Sequence, residues 1–196
     1  MTYPEKSIFP PVHLVSIKDV FKFWKIEKKR FIDLFSILDE SELSKKCETS
    51  TCGHTFGEHI TCLLIWMEGS LRFFKALKEG RKIDFYDPKI PMLTWTNQKI
   101  EAYRFWAYKD IWEKLEKIDL QLQEIINDIG QDLIFQDKKM VWTWLVWTTF
   151  GHYDVHSTEL EYQLKNKIIT GLEKQWLYRQ VEVSWQKPEV RGKNSK

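Results

Sequence analysis

His152 and His156 stand four residues apart in the run Thr148-Thr149-Phe150-Gly151-His152-Tyr153-Asp154-Val155-His156. On an α-helix, positions i and i+4 lie one above the other, so both imidazoles can reach one metal ion or one substrate. Tyr153 rather than glutamate follows the first histidine, which departs from the zinc-protease pattern and leaves out its general base. A metal site therefore needs a third donor from elsewhere. His59 and Cys62, one turn apart near a capped helix start, are the candidates, and the sequence leaves the choice between them open. Three protein donors leave positions open for water or a thiolate, whose pKa a zinc-like ion lowers toward neutrality. Glu159 and Glu58 are the catalytic candidates, placed to orient a ligand or shuttle a proton. The competing reading is a polar pocket in which the histidines hydrogen-bond and Cys62 is a small buried hydrophobe.

Four segments with helical periodicity must position these residues. The first opens at Ser16, with Asp19 in the reciprocal place of a capping box, and carries Val20, Phe21, Trp24, Phe31, Leu34, Phe35 and Leu38 on one stripe. A polar stretch, 39–51, follows. The second opens at Thr55 with Glu58 in the reciprocal place and runs past His59, Cys62, Trp66, Ser70, Phe73 and Phe74 to a stop at Gly80. Pro88 and Pro91 mark 81–95 as a long connection, able to cross from one end of a bundle to the other. The third helix spans about 97–128 and closes at Gly130, with Ile100, Tyr103, Phe105, Trp106, Ile111, Leu115, Leu122 and Ile126 on its buried face. The fourth spans about 139–165 and aligns Leu145, Thr149, His152, His156, Glu159 or Leu160, and Gln163. The fold expected is all-α, a four-helix bundle with a long crossover between the second and third helices. It occupies 1–165 as one domain, and 166–196 is a C-terminal extension packing on the bundle with a disordered end.

Composition narrows the partners. Thirty basic and 28 acidic residues alternate along the chain for a net charge of +2, which is no nucleic-acid footprint. No stretch reaches the roughly 18 apolar residues of a membrane span, and the N-terminus lacks a signal-peptide core. Cys47, Cys52 and Cys62 form no C-x-x-C pair and no disulfide framework, so a reducing cytoplasm is the expected setting. Ten tryptophans and 12 phenylalanines fill a core first and line a pocket second. The aromatic excess and the tail are consistent with a homodimer. Glycine-rich phosphate loops and the Gly-x-Ser-x-Gly elbow are absent from the sequence.

The helix opening Thr55-Phe56-Gly57-Glu58-His59-Ile60, the long crossover and the late His152-x-x-x-His156 segment resemble the DinB/YfiT-like four-helix bundle superfamily over about residues 14–165. The resemblance implies a divalent metal, zinc or nickel, held by His152, His156 and one residue of the second helix. Aligned by the helix opening that residue is His59; aligned by Trp66 and 71–85 it is Cys62. It also implies thiol transfer, isomerisation or hydrolysis on a small electrophilic substrate, with a low-molecular-weight thiol such as bacillithiol or mycothiol. The stretch from Trp66 to Phe85 and the start Trp95-Thr96-Asn97 are similar to the ClbS/DfsB-type branch, which lacks the histidine pair. That likeness implies the alternative, a metal-free protein that binds or detoxifies a reactive metabolite.

Overall fold

A computed structural model describes residues 16–50, 52–81, 89–136 and 140–168. The fold is all-α: among the described residues the elements are α1 (Ile17–Phe35), α2 (Glu40–Leu43), α3 (Phe56–Lys78), α4 (Met92–Glu101), α5 (Tyr108–Ile129), α6 (Gln131–Gln136), α7 (Met140–Thr148) and α8 (Phe150–Ile168). One isolated antiparallel bridge, Lys46 to Thr55, is the β pairing among them. The chain groups into a compact unit ending at Gln163 and a second beginning at Leu164. The extension expected at 166–196 lies, beyond the end of α8, outside the described residues. No helix among the described residues is long and apolar enough to cross a membrane.

The second helix of the sequence reading, α3, is buried nearly all round, as a helix at the centre of a helical layer must be. Its ends are fixed locally. The Glu58 carboxylate accepts from Thr55 N–H at 2.7 Å while Glu58 N–H donates to Thr55 Oγ1 at 3.2 Å, a complete capping box. At the other end Gly80, with φ +62°, lets Arg81 N–H reach the Ala76 carbonyl at 2.9 Å and close the last turn. The Ser16 start differs in detail: Ser16 Oγ accepts from Asp19 N–H but donates to the Asp19 carboxylate, so that pair is not reciprocal. α3 packs along α5, whose Ile111, Leu115, Leu122 and Ile126 are buried as the stripe requires. Ion pairs lock α1 onto its neighbours. Lys28 donates to Asp119 and Glu116 of α5 at 2.7 and 2.8 Å, and Arg30 donates to Asp154 and Glu161 of α8 at 2.7 and 2.8 Å.

Three expectations are corrected. The third helix is broken: 102–107 form tight turns, with Tyr103 N–H donating to Ile100 O and Trp106 N–H to Tyr103 O, each at 2.9 Å. No glycine or proline marks this break. It is held by tertiary contacts, because Tyr103 donates to Glu68 at 3.0 Å and accepts from Lys114 at 2.9 Å. Phe105, expected inside, is consequently 91 % exposed and Trp106 44 %. The connection is shorter than 81–95, since α4 begins at Met92. The fourth helix is two, α7 and α8, divided at Thr149. Here Thr148 and Thr149 turn their hydroxyls back onto the Trp144 and Leu145 carbonyls, and this competition with the backbone ladder bends helices.

The place a Cβ would take at Gly57 is filled by the Tyr108 ring. Gly57→Ala is therefore expected to destabilise the fold by about 1–3 kcal/mol through overpacking, read as a lowered urea midpoint. Arg30→Ala leaves Glu27, Asp154 and Glu161 facing one another without their cation. A loss of about 1–3 kcal/mol is expected, below the full figure for a buried pair because the cluster is partly solvated. An unchanged urea midpoint in either variant contradicts the corresponding contact.

Candidate metal centre

Two helices and one loop converge on the cluster. His59 and Cys62 lie within the first two turns of α3, and His152, His156 and Glu159 lie along α8. The chain before α3 doubles back onto its start: Cys47 N–H donates to His54 O at 3.0 Å and Phe56 N–H to Lys45 O at 3.0 Å. Thr49 Oγ1 donates to the Glu159 carbonyl at 2.7 Å, which ties this loop to α8. The result is a nest of four imidazoles. Ring centroids lie 4.6 Å apart for His59 and His156, 4.7 Å for His152 and His156, and 5.9 Å for His54 and His59.

Hydrogen bonds assign the protons. His59 Nδ1–H donates to the Thr55 carbonyl at 2.7 Å, and its Nε2–H points at Glu159 Oε2, 3.2 Å away. Burial acts to lower the His59 pKa, but Cys47 and the Glu159 carboxylate outweigh it and hold it up at about 9. The same contact with His59, with help from Thr49, pulls the Cys47 thiol below its usual range against the effect of burial. His156 Nδ1–H donates to the same Glu159 oxygen at 2.8 Å. Burial and the charge on His59 hold His156 well below the ordinary range despite Glu159, so its ring is neutral and Nε2 carries a lone pair. That Nε2 is buried and has no hydrogen-bond partner.

His152 is half-buried, beside the Trp66 ring at 5.8 Å. Its Nδ1–H donates to Trp147 O at 3.2 Å, and its Nε2 accepts from the Cys62 thiol at 3.3 Å. Burial holds His152 down at about 4 and pushes the Cys62 thiol well up, so the pair is neutral rather than an imidazolium–thiolate. Cys62 without a cation is no activated nucleophile.

Among the described residues, two sets of donor atoms each lie within 4.8 Å of one another: His54, Cys62 and His156; and His59, His156 and Glu159. Of the residues expected as ligands, His59, Cys62 and His156 thus enter such a set, and His152 touches the cluster through Cys62. Glu159 stands at its centre, under both His59 and His156. Glu58 is engaged with Thr55 N–H as the helix cap. The sequence reading missed His54 and Cys47. A signal for His54 was available: it precedes the Thr55 cap, and the residue in that place packs against the fourth helical residue, here His59.

No family model matches the sequence, and no curated protein matches it. Among solved structures the chain is similar to the crystal structure of an uncharacterised protein from Escherichia coli UTI89, with a TM-score of 0.69 and 13% identity over 80% of this chain and 97% of that one. At that identity the likeness is one of fold.

The His59 pKa of about 9 lies above its ordinary 6.5, so protonation favours the folded state. This stabilisation is complete below the unfolded value and is lost as pH rises through the folded one. Thermal midpoints are expected to fall between about pH 6.5 and pH 9, with a shallower fall in His59→Gln. Equal slopes in the two proteins contradict the assignment.

Proposed function

We propose that the chain is a divalent-metal-dependent enzyme of the DinB/YfiT-like kind, directing a thiol or water at a small electrophilic substrate, with Cys62 and His156 among the ligands. The observation that carries this reading is His156 Nε2, a buried lone pair with no partner, on a ring whose other nitrogen is engaged by Glu159. A buried polar atom left unpaired costs about 1–3 kcal/mol, and a cation relieves it. Imidazole nitrogen and thiolate sulfur are donors that suit zinc, and imidazole also suits nickel. When bound, such an ion supplies Lewis acidity that brings the pKa of water or a thiol toward neutrality.

The chain's own residues supply the rest. Glu159 fixes the tautomer of His156 and balances the charge of His59. The Cys62 thiol must give up its proton to become a ligand, and His152 Nε2, 3.3 Å from the sulfur, is placed to receive it. The four long helices α1, α3, α5 and α8, and the connection between α3 and α4, support a four-helix bundle with a crossover. A low-molecular-weight thiol co-substrate, a cytoplasmic setting and a homodimer belong to the same reading.

One observation favours the metal-free alternative. A cleft of about 340 Å³ between α3, α4 and the turns after it is lined by Ile65, Glu68, Trp95, Lys99, Tyr103 and Trp106, and its aromatic walls suit a small reactive metabolite. Elemental analysis of untagged protein separates the two. Stoichiometric zinc or nickel in the wild type, lost in both Cys62→Ala and His156→Ala, is the expected result. Metal-free wild type that still resists metal loading favours the alternative.

A further inference from the structure

We propose that His54 is the third ligand of the ion, with Cys62 and His156, and that His152 does not touch it but takes up the Cys62 thiol proton at Nε2 and donates it in a hydrogen bond to the bound sulfur, as a positioning residue. The inference rests on the metal-dependent reading above. It departs from the i,i+4 histidine pair that the sequence suggests.

Geometry supports His54 in two ways. Its donor atom falls within 4.8 Å of those of Cys62 and His156. Its Nδ1 is also buried without a hydrogen-bond partner, as His156 Nε2 is. Two such lone pairs beside one thiol are a donor set without its cation. Both rings are oriented from behind. Asn97 Oδ1, on the exposed side of α4, lies 3.4 Å from His54 Nε2 and accepts a hydrogen bond from it, while Glu159 accepts one from Nδ1–H of His156. Outer partners of this kind fix which nitrogen keeps the lone pair.

The other histidines are spent. His152 uses Nδ1–H on the Trp147 carbonyl, its Nε2 receives the proton that Cys62 Sγ gives up, and it enters neither converging set. His59 donates from both nitrogens, to Thr55 O and to Glu159, and so has no lone pair to offer. The set His59, His156 and Glu159 is therefore held together by protons, with Glu159 Oε2 accepting twice.

Cobalt(II) added to the chelator-stripped, untagged full chain tests this by titration and absorption spectroscopy. Wild type is expected to develop a thiolate-to-cobalt band and four-coordinate visible bands. His54→Ala should weaken cobalt binding by more than about 100-fold, beyond the roughly 10–100-fold that follows loss of an outer partner. His152→Ala should keep stoichiometric binding and the visible bands but shift the thiolate band, because the sulfur loses its hydrogen bond. His54→Gln gives the same comparison should the alanine variant fail to fold. Loss of binding in His152→Ala with retention in both His54 variants overturns the assignment and leaves the metal reading standing. Wild type that takes up no cobalt overturns the metal reading itself, and this inference with it.

Discussion

One carboxylate oxygen, Glu159 Oε2, accepts from His59 and from His156 in a place almost closed to water, and the arrangement around it follows from that sharing. A buried carboxylate without a counter-charge is costly, and here the counter-charge is the His59 imidazolium. The proton on His59 in turn requires the Thr55 carbonyl on its far side, and that carbonyl is in place because Thr55 caps α3. The cap, the ion pair and the tautomer of His156 are thus successive consequences of one shared oxygen. The same requirement explains why the loop before α3 is fastened to α8 through Thr49 at the Glu159 backbone.

The cluster depends equally on α8 being held in place. Arg30 spans from α1 to Asp154 and Glu161, on either side of the turn that carries His156. Lys28, two residues earlier, reaches the nearly buried Asp119 of α5. Charges on α1 therefore clamp two different helices, while the apolar face of α1 fills the core through Val20, Trp24 and Phe31. Both faces of a single helix thereby position a site to which it contributes no ligand.

Much of this was legible in the sequence, for physical reasons. The Thr55–Glu58 box and the Gly80 stop are local chemistry, and α3 begins and ends where they place it. The stripes of α1 and α5 follow from periodicity and burial. The breaks at 102–107 and at Thr149 were not legible, since neither carries a glycine or proline. One is set by Tyr103, Glu68 and Lys114 meeting across the fold, the other by threonine hydroxyls choosing their own helix's carbonyls. At the site, His156, Cys62 and Glu159 were readable from spacing on helices. His54 and Cys47 sit on a loop, where periodicity says nothing and tertiary pairing decides.

The interruption at Thr149 also bears on how this chain tolerates change in length. In an unbroken helix, a residue gained or lost rotates everything beyond it by about 100°, so an insertion within α7 would swing His156 and Glu159 away from α3. With the ladder restarted at Thr149, whose carbonyl accepts from His152 and Tyr153 N–H, α8 takes its phase from its own first turn. The register of the ligands is insulated from the segment before it. A change of length there meets a break in the ladder before it reaches His156 and Glu159, while α7 is held by its own core residues Val141 and Leu145.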